Sequence, residues 1–296
     1  MTEWLSRCDR PGQTLAQWDP TKRYNFQPDS IPSIFKDAMS IREAVYVDEQ
    51  SVPLAHELDD DDPRSFHFVM YASIATKGAS ASSHPAVSAA EEERRRSIPS
   101  AVRTPIATIR LIPPPHGPNP YKEDQKKHEH PHPCSAPTSP TGDEHPVEPY
   151  IKLGRLATLK TFRGGGLSRQ LIRAALDFAA ANPDLILAPR SPVAQERLNL
   201  ERVGSHEEKE ESKGWQGLAM VHAQAIVEGL WRRHGFEEEL LREDGTVEIP
   251  KEERWWEEGM EHLAMWCRVP ITHGKKTQTL GGKEGKSEFQ MDWENL

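Results

Sequence analysis

The residues that most restrict the fold are 150–183. From Tyr150 to Lys160 the chain alternates, which is the period of a half-buried strand, with Ile151, Leu153, Ala157 and Leu159 expected on one face. The run passes directly into Arg163-Gly164-Gly165-Gly166-Leu167-Ser168. Leu167, Leu171, Ala175, Phe178 and Ala179 then recur at helical spacing until Pro183. A strand handed to a helix by a glycine turn sets unpaired backbone N–H groups and the positive end of the helix dipole at the edge of a sheet. Consecutive glycines let that backbone wrap closely around an anion, and the geometry suits a pyrophosphate. The glycine spacing is neither that of a P-loop nor that of the dinucleotide-binding fingerprint. A plain strand-to-helix turn remains the bland alternative. An RNA-binding Arg-Gly-Gly reading is weaker, because the motif occurs once and leads into a helix.

The other periodic segments fall into an α/β (α+β) order. Ile34, Ala38, Ile41 and Val45, with Phe35, Met39 and Tyr46, mark a helix beginning near Pro32. Strands are predicted at 65–73, 106–112, 218–222, 247–249 and 262–269, and a helix at 225–233 closed by Gly235. The expectation is a mixed central sheet flanked by helices. Of the 296 residues, 36% are hydrophobic and 25 are proline, so part of the chain should lie outside any core. One domain over 1–296 is therefore predicted, with its core at about 31–76, 105–112, 150–188 and 217–269. Residues 77–104, 113–149 and 189–216 read as disordered or regulatory insertions, and 270–296 as a tail.

The net charge of -9, from 37 basic and 46 acidic residues, argues against a nucleic-acid partner and suits a cationic small one. No apolar run long enough for a membrane span exists and no signal pattern opens the chain, so no membrane partner is expected. Three scattered cysteines, Cys8, Cys134 and Cys267, point to a reducing compartment, cytosol or nucleus. His128, His130, His132 and Cys134 alternate with Glu and Pro, with no second ligand cluster at finger spacing, so no metal site is expected.

Three more segments stand in order around the glycine turn with its Arg163, Gly166 and Ser168. Arg42-Glu43-Ala44-Val45-Tyr46-Val47-Asp48-Glu49-Gln50-Ser51-Val52-Pro53 is followed by Glu57, Asp59, Asp62 and His67. Ala223-Gln224 precedes Leu230-Trp231-Arg232-Arg233-His234-Gly235-Phe236. Glu257-Glu258-Gly259-Met260-Glu261-His262-Leu263-Ala264-Met265 ends the series. Together the four resemble the GNAT superfamily of N-acetyltransferases. The turn fits its Arg/Gln-x-x-Gly-x-Gly/Ala motif, with Ser168 where the family has Gly or Ala. The other three are similar to the first helix and loop of one branch, a further segment of it, and its closing hairpin. The chain is thus identified as a fungal-type member with long insertions.

The resemblance implies direct transfer of acetyl from acetyl-CoA, as cosubstrate, to the amine of a small, cationic molecule. A protein or peptide acceptor, or a non-catalytic acyl-CoA-binding module, are the alternatives. It implies a pyrophosphate cradle of Arg163, Gly164, Gly165, Gly166, Leu167 and Ser168. It also implies a bulged, splayed fourth strand offering the backbone of Leu156, Ala157 and Thr158 to pantetheine and to the developing oxyanion. Trp231, also expected at the cofactor, stands where many members carry a tyrosine acid, and its N–H is a donor only. The candidate bases are Glu258, His262, Glu49 and Asp59, with Glu57 and His222 behind them; each could equally be a surface carboxylate or a satisfied histidine. Asp59 to Asp62 reads most simply as a solvated loop. Arg232 and Arg233 are candidates for the nucleotide phosphates, or simply a charge pair suited to a helix C-terminus. The resemblance leaves the oligomeric state open.

Overall fold

The computed structural model describes residues 3–76, 100–117, 119, 121, 146, 148–187 and 215–271. Seven strands form one mixed sheet in the order β1-β2-β3-β4-β5-β9-β8. These are β1 Glu3–Cys8, β2 Phe66–Thr76, β3 Ser100–Ile112, β4 Ile151–Thr158, β5 Leu218–Gln224, β8 Trp255–Glu257 and β9 Met260–Arg268. Every neighbouring pair is antiparallel except β4 and β5, which run parallel. A second, two-stranded sheet pairs β6 Leu240–Leu241 with β7 Val247–Ile249.

Helices cover both faces. On one face α1, Ser33–Arg42, continues as a π-helical segment over Glu43–Glu49. It buries Ala38, Ile41 and Val45 against Val69, Tyr71 and Ala157. On the other face α2, Leu167–Ala181, seats Leu171, Ile172, Ala175 and Ala179 on Phe68, Met70, Ile109 and Leu153. The short α3, Pro183–Ile186, follows α2, and α4, Glu228–Arg232, follows β5. The mixed α/β expectation is borne out. Among the described residues, no helix is long and apolar enough to cross a membrane.

Several boundaries differ from the sequence reading. The fold begins well before residue 31. β1 pairs along β2 with Trp4 stacked on Tyr71, their centroids 6.0 Å apart. Cys8, Leu15, Trp18 and Ile31 close a satellite core over Phe35 and Met39. Those apolar residues are too widely spaced to show a period, yet each finds a buried partner. β3 starts at Ser100 rather than 105, with Pro105 tolerated at an irregularity in its pairing with β2. Trp215, placed in an insertion by its neighbours' composition, is a core residue, 1% exposed, whose indole N–H donates to the Leu218 carbonyl at 2.7 Å. His116 and Glu148 also belong to the fold, through a stack on Tyr150 and bonds to Arg268. The rest of the three insertions and the tail, including His128, His130, His132 and Cys134, lies almost wholly outside the described residues.

Candidate active site

The parallel pairing of β4 with β5 extends only over Ile151–Leu153 against Ala219–Val221. Beyond that point β5 stays with β9 to Gln224, while β4 stays with β3, so the two strands part and open a wedge. The reason lies in β4. Gly154 pairs with Arg110 and Ala157 with Thr108, so Ile109 alone faces both Arg155 and Leu156. This is a β-bulge, and Arg155 takes a left-handed φ of +52° within it.

One extra residue reverses which face the following side chains occupy. Ile151 and Leu153 lie under α2, whereas Ala157 and Leu159 pack under α1. The single apolar face expected for these four is therefore divided by the bulge. The same shift orients the backbone. The Leu159 N–H donates to the Ile106 carbonyl of β3 at 2.9 Å. By alternation Ala157 also faces β3, and Leu156 and Thr158 turn their N–H and C=O groups into the wedge. Both of these carbonyls are taken: Leu156 accepts from the Tyr46 hydroxyl at 2.9 Å and Thr158 from the Arg163 Nε at 2.9 Å. Their N–H groups are what the wedge offers.

Past β4 the glycine turn leads into α2. Gly164 and Gly166 have φ of +85° and +79°, a conformation that favours glycine, and Gly166 caps the helix. A Cβ at Gly166 would meet nothing within 4 Å, so the turn is an open cradle rather than a packed corner. The first turn of α2 presents its N–H groups there. Ser168 ties the cradle to the strand through a 3.1 Å hydroxyl contact with Thr158. Arg163 lies across the mouth, its Nη2 donating to Glu49 at 2.7 Å. Further along, Arg169 and Arg173 of α2 meet Arg233 and His234 in a groove of about 660 Å³. Arg232 turns away to Glu228, Glu237 and Glu238, so only Arg233 of the two candidates lines this groove.

On the α1 face an ion cluster closes over the bulge. Arg42, 1% exposed, bonds Glu57 and, through Nη1 at 2.7 Å, Asp62. Arg110 grips Asp59 at 2.6 and 2.8 Å and Asp62 at 2.8 Å. Arg155 adds a 3.1 Å bond to Asp59. Burial alone would raise the Asp59 and Asp62 carboxyls, but the guanidiniums of Arg110 and Arg42 outweigh it and hold both below the usual carboxylate range. The solvated-loop reading of 59–62 therefore fails for Asp62, which is fully buried, and for Asp59, which is held by two arginines. Tyr46, beside this cluster, is pushed up to about 12 by burial and stays a neutral donor.

The remaining candidates sit on the closing hairpin, which turns at Glu258 and Gly259 with φ of +48° and +75°. Glu258 reaches His56 across the surface at 2.9 Å. His262 is buried at the open end of β5, paired in register with Gln224, its Nδ1 3.0 Å from the Met260 carbonyl and its ring stacked on Trp255. A carbonyl only accepts, so Nδ1 carries the hydrogen and Nε2 is the lone-pair nitrogen of the neutral ring. His222 packs edge-on to the same Trp255. Trp231, 2% exposed and set edge-on to Phe236, is a residue of the main core. Glu49, Asp59, Glu258 and His262 thus occupy three separate places: the cradle mouth, the ion cluster and the hairpin. Sequence reasoning missed Arg110 and Arg155. Their signal was a charge inside an otherwise apolar strand.

No protein-family profile matches the chain, and no curated protein matches it. Among solved structures, an acyl-CoA N-acyltransferase from Pseudomonas aeruginosa aligns at 14% identity over 90% of this chain and 99% of its own, with a TM-score of 0.39. ElaA from Escherichia coli aligns at 14% identity over 90% and 100%, with a TM-score of 0.40. A CoA-dependent acyl-homoserine lactone synthase, BjaI, aligns at 10% identity over 90% and 84%, with a TM-score of 0.41. At these scores the functional reading rests on the strand order, the wedge and the cradle themselves.

Proposed function

We propose that this chain is an acyl-CoA-dependent N-acyltransferase of the GNAT type, moving acetyl from acetyl-CoA directly to the amine of a small cationic molecule. The observation that carries this reading is the coupling of two features: a wedge opened by a bulge in β4, and a glycine cradle at the N-terminus of the helix that follows. One chain segment thereby offers donors to an extended arm and to an anion at its end.

In this reading the N–H groups of Gly164, Gly165, Gly166, Leu167 and Ser168 receive the pyrophosphate. Arg163 exchanges Glu49 for a phosphate oxygen. Arg169, Arg173 and Arg233 face the nucleotide end. The pantetheine arm lies along the wedge as an added strand. The Leu156 N–H, or that of Thr158, donates to the thioester oxygen as it becomes negative. The ion cluster fixes the loop that covers the acceptor. Trp231 supplies no proton to the leaving thiolate, because it is buried and a donor only.

Calorimetry with acetyl-CoA, paired with thiol release over a panel of small amines and peptides, tests this. Binding with release on a small amine is the expected result. Release only on peptides moves the acceptor class. Binding without release on any acceptor marks a non-catalytic acyl-CoA module. No binding at all overturns the reading.

A further inference from the structure

Acyl transfer to an amine needs somewhere for a proton to go, and the carboxylates near the wedge are engaged. Glu49 is held by Arg163, Glu57 by Arg42, Asp59 by Arg110 and Arg155, and Glu258 by His56. Lys152 differs from all of them. It precedes Leu153, the last residue of β4 paired with β5, so it stands where the wedge begins. Ile151 and Leu153 lie under α2, so Lys152 turns to the opposite face, the one on which Arg155 meets Asp59. Between the two in the chain, an added Cβ at Gly154 would meet nothing within 4 Å, so nothing packs on the strand at that position.

The Lys152 side chain is half-buried and has no hydrogen bond or ion pair among the described residues. The charged and titratable groups around it come from four elements: Asp61 and Asp59 from the loop after α1, Arg110 from β3, Glu257 from β8, and His116 from the segment after β3. Burial pushes its ammonium down to about 8, against the opposing pull of Asp61. A sizeable fraction is then neutral at physiological pH, as a proton acceptor requires.

We propose, on the acyl-transfer reading above, that Lys152 is the group that takes the proton from the acceptor amine. The acceptor ammonium gives one proton to the neutral Nζ. The freed nitrogen lone pair forms the C–N bond at the thioester carbon as the C–S bond breaks. The second nitrogen proton goes to the departing thiolate, giving the CoA thiol, and Lys152 returns its own proton to solvent. Nothing is oxidised or reduced.

Two measurements on the full chain decide this. The first is competitive labelling with trace acetic anhydride across pH, read by mass spectrometry at Lys152 against Lys36 on α1. Lys152 should reach half-maximal reactivity near pH 8, and saturating CoA should protect it at least tenfold. Titration like an ordinary lysine, at ~10.4, or unchanged labelling with CoA bound, overturns the proposal. The second is steady-state kinetics with the best acceptor of the amine panel. Lys152→Met and Lys152→Arg should both lower kcat by about 100-fold or more, with the acetyl-CoA Kd within about twofold of the parent and no loss of melting temperature. Activity retained by Lys152→Arg would assign a charge role instead. Loss of acetyl-CoA binding by the parent protein in calorimetry would remove the acyl-transfer reading itself, a failure visible before any variant is made.

Discussion

Arg155 pairs a backbone conformation that favours glycine with a side chain bonded to Asp59, and two substitutions separate these contributions. Arg155→Ala and Arg155→Gly both delete the 3.1 Å bond to Asp59. They differ only in whether the residue at φ +52° carries a Cβ. A non-glycine residue in the left-handed region costs about 1–2 kcal/mol. Glycine's extra freedom in the unfolded chain takes back about 0.5–1 kcal/mol. The balance favours the glycine variant by about 0–1.5 kcal/mol, or up to about 6 °C in Tm for a domain of this size. That reverses the usual order within a strand, where alanine is the better residue. Urea denaturation at pH 7, with equal m-values for the two proteins, reads the difference. An alanine variant more stable than the glycine variant by the ordinary strand margin of about 0.5–1 kcal/mol would refute a left-handed bulge at 155, and with it the reversal of faces along β4.

Three further outcomes follow from the site. Gly166→Glu sets a carboxylate in the cradle and should abolish acetyl-CoA binding in calorimetry; unchanged affinity would reject the cradle. Asp62→Asn leaves Arg42 and Arg110 short of a buried counter-charge and should cost about 3–5 kcal/mol in urea, while a loss under about 1 kcal/mol would mean the cluster contributes little. His67, 1% exposed, is pushed down to about 4, first by burial, with its Nε2 3.0 Å from the Asp62 carbonyl. The unfolded chain therefore takes up this proton near pH 6.5 and the folded one does not until about 4, so stability falls as pH drops through that window, by about 3 kcal/mol at most. A His67→Gln variant should show a shallower decline over the same window; an equal slope would exclude His67 as its source.

The order of strands and helices was legible because periodicity survives wherever one face is buried: α1, α2, β4 and β5 all begin and end close to the expected residues. What escaped had no period to read. β1 hides its role in alternate residues of a short polar run, and Trp215 is a lone aromatic beside an acidic stretch. The glycine turn announced the cradle, yet the division of Leu156, Ala157 and Thr158 between wedge and sheet depends on one inserted residue, which local alternation cannot reveal. Asp59 and Asp62 look like solvent-facing acids until Arg110 and Arg155 are brought over them from strands some 50 and 96 positions away. A buried ion cluster is a tertiary fact, set by which strands become neighbours.

That cluster also has a consequence for how the protein assembles. The residue that kinks β4 is the residue whose guanidinium anchors the loop above it. Arg155 reaches Asp59 from the bend itself, so the loop gains this third guanidinium only where the strand is bulged, and the bend gains an ionic clasp only with the loop in place. Wedge and overlying loop are therefore interlocked, and a lesion in either should loosen the other.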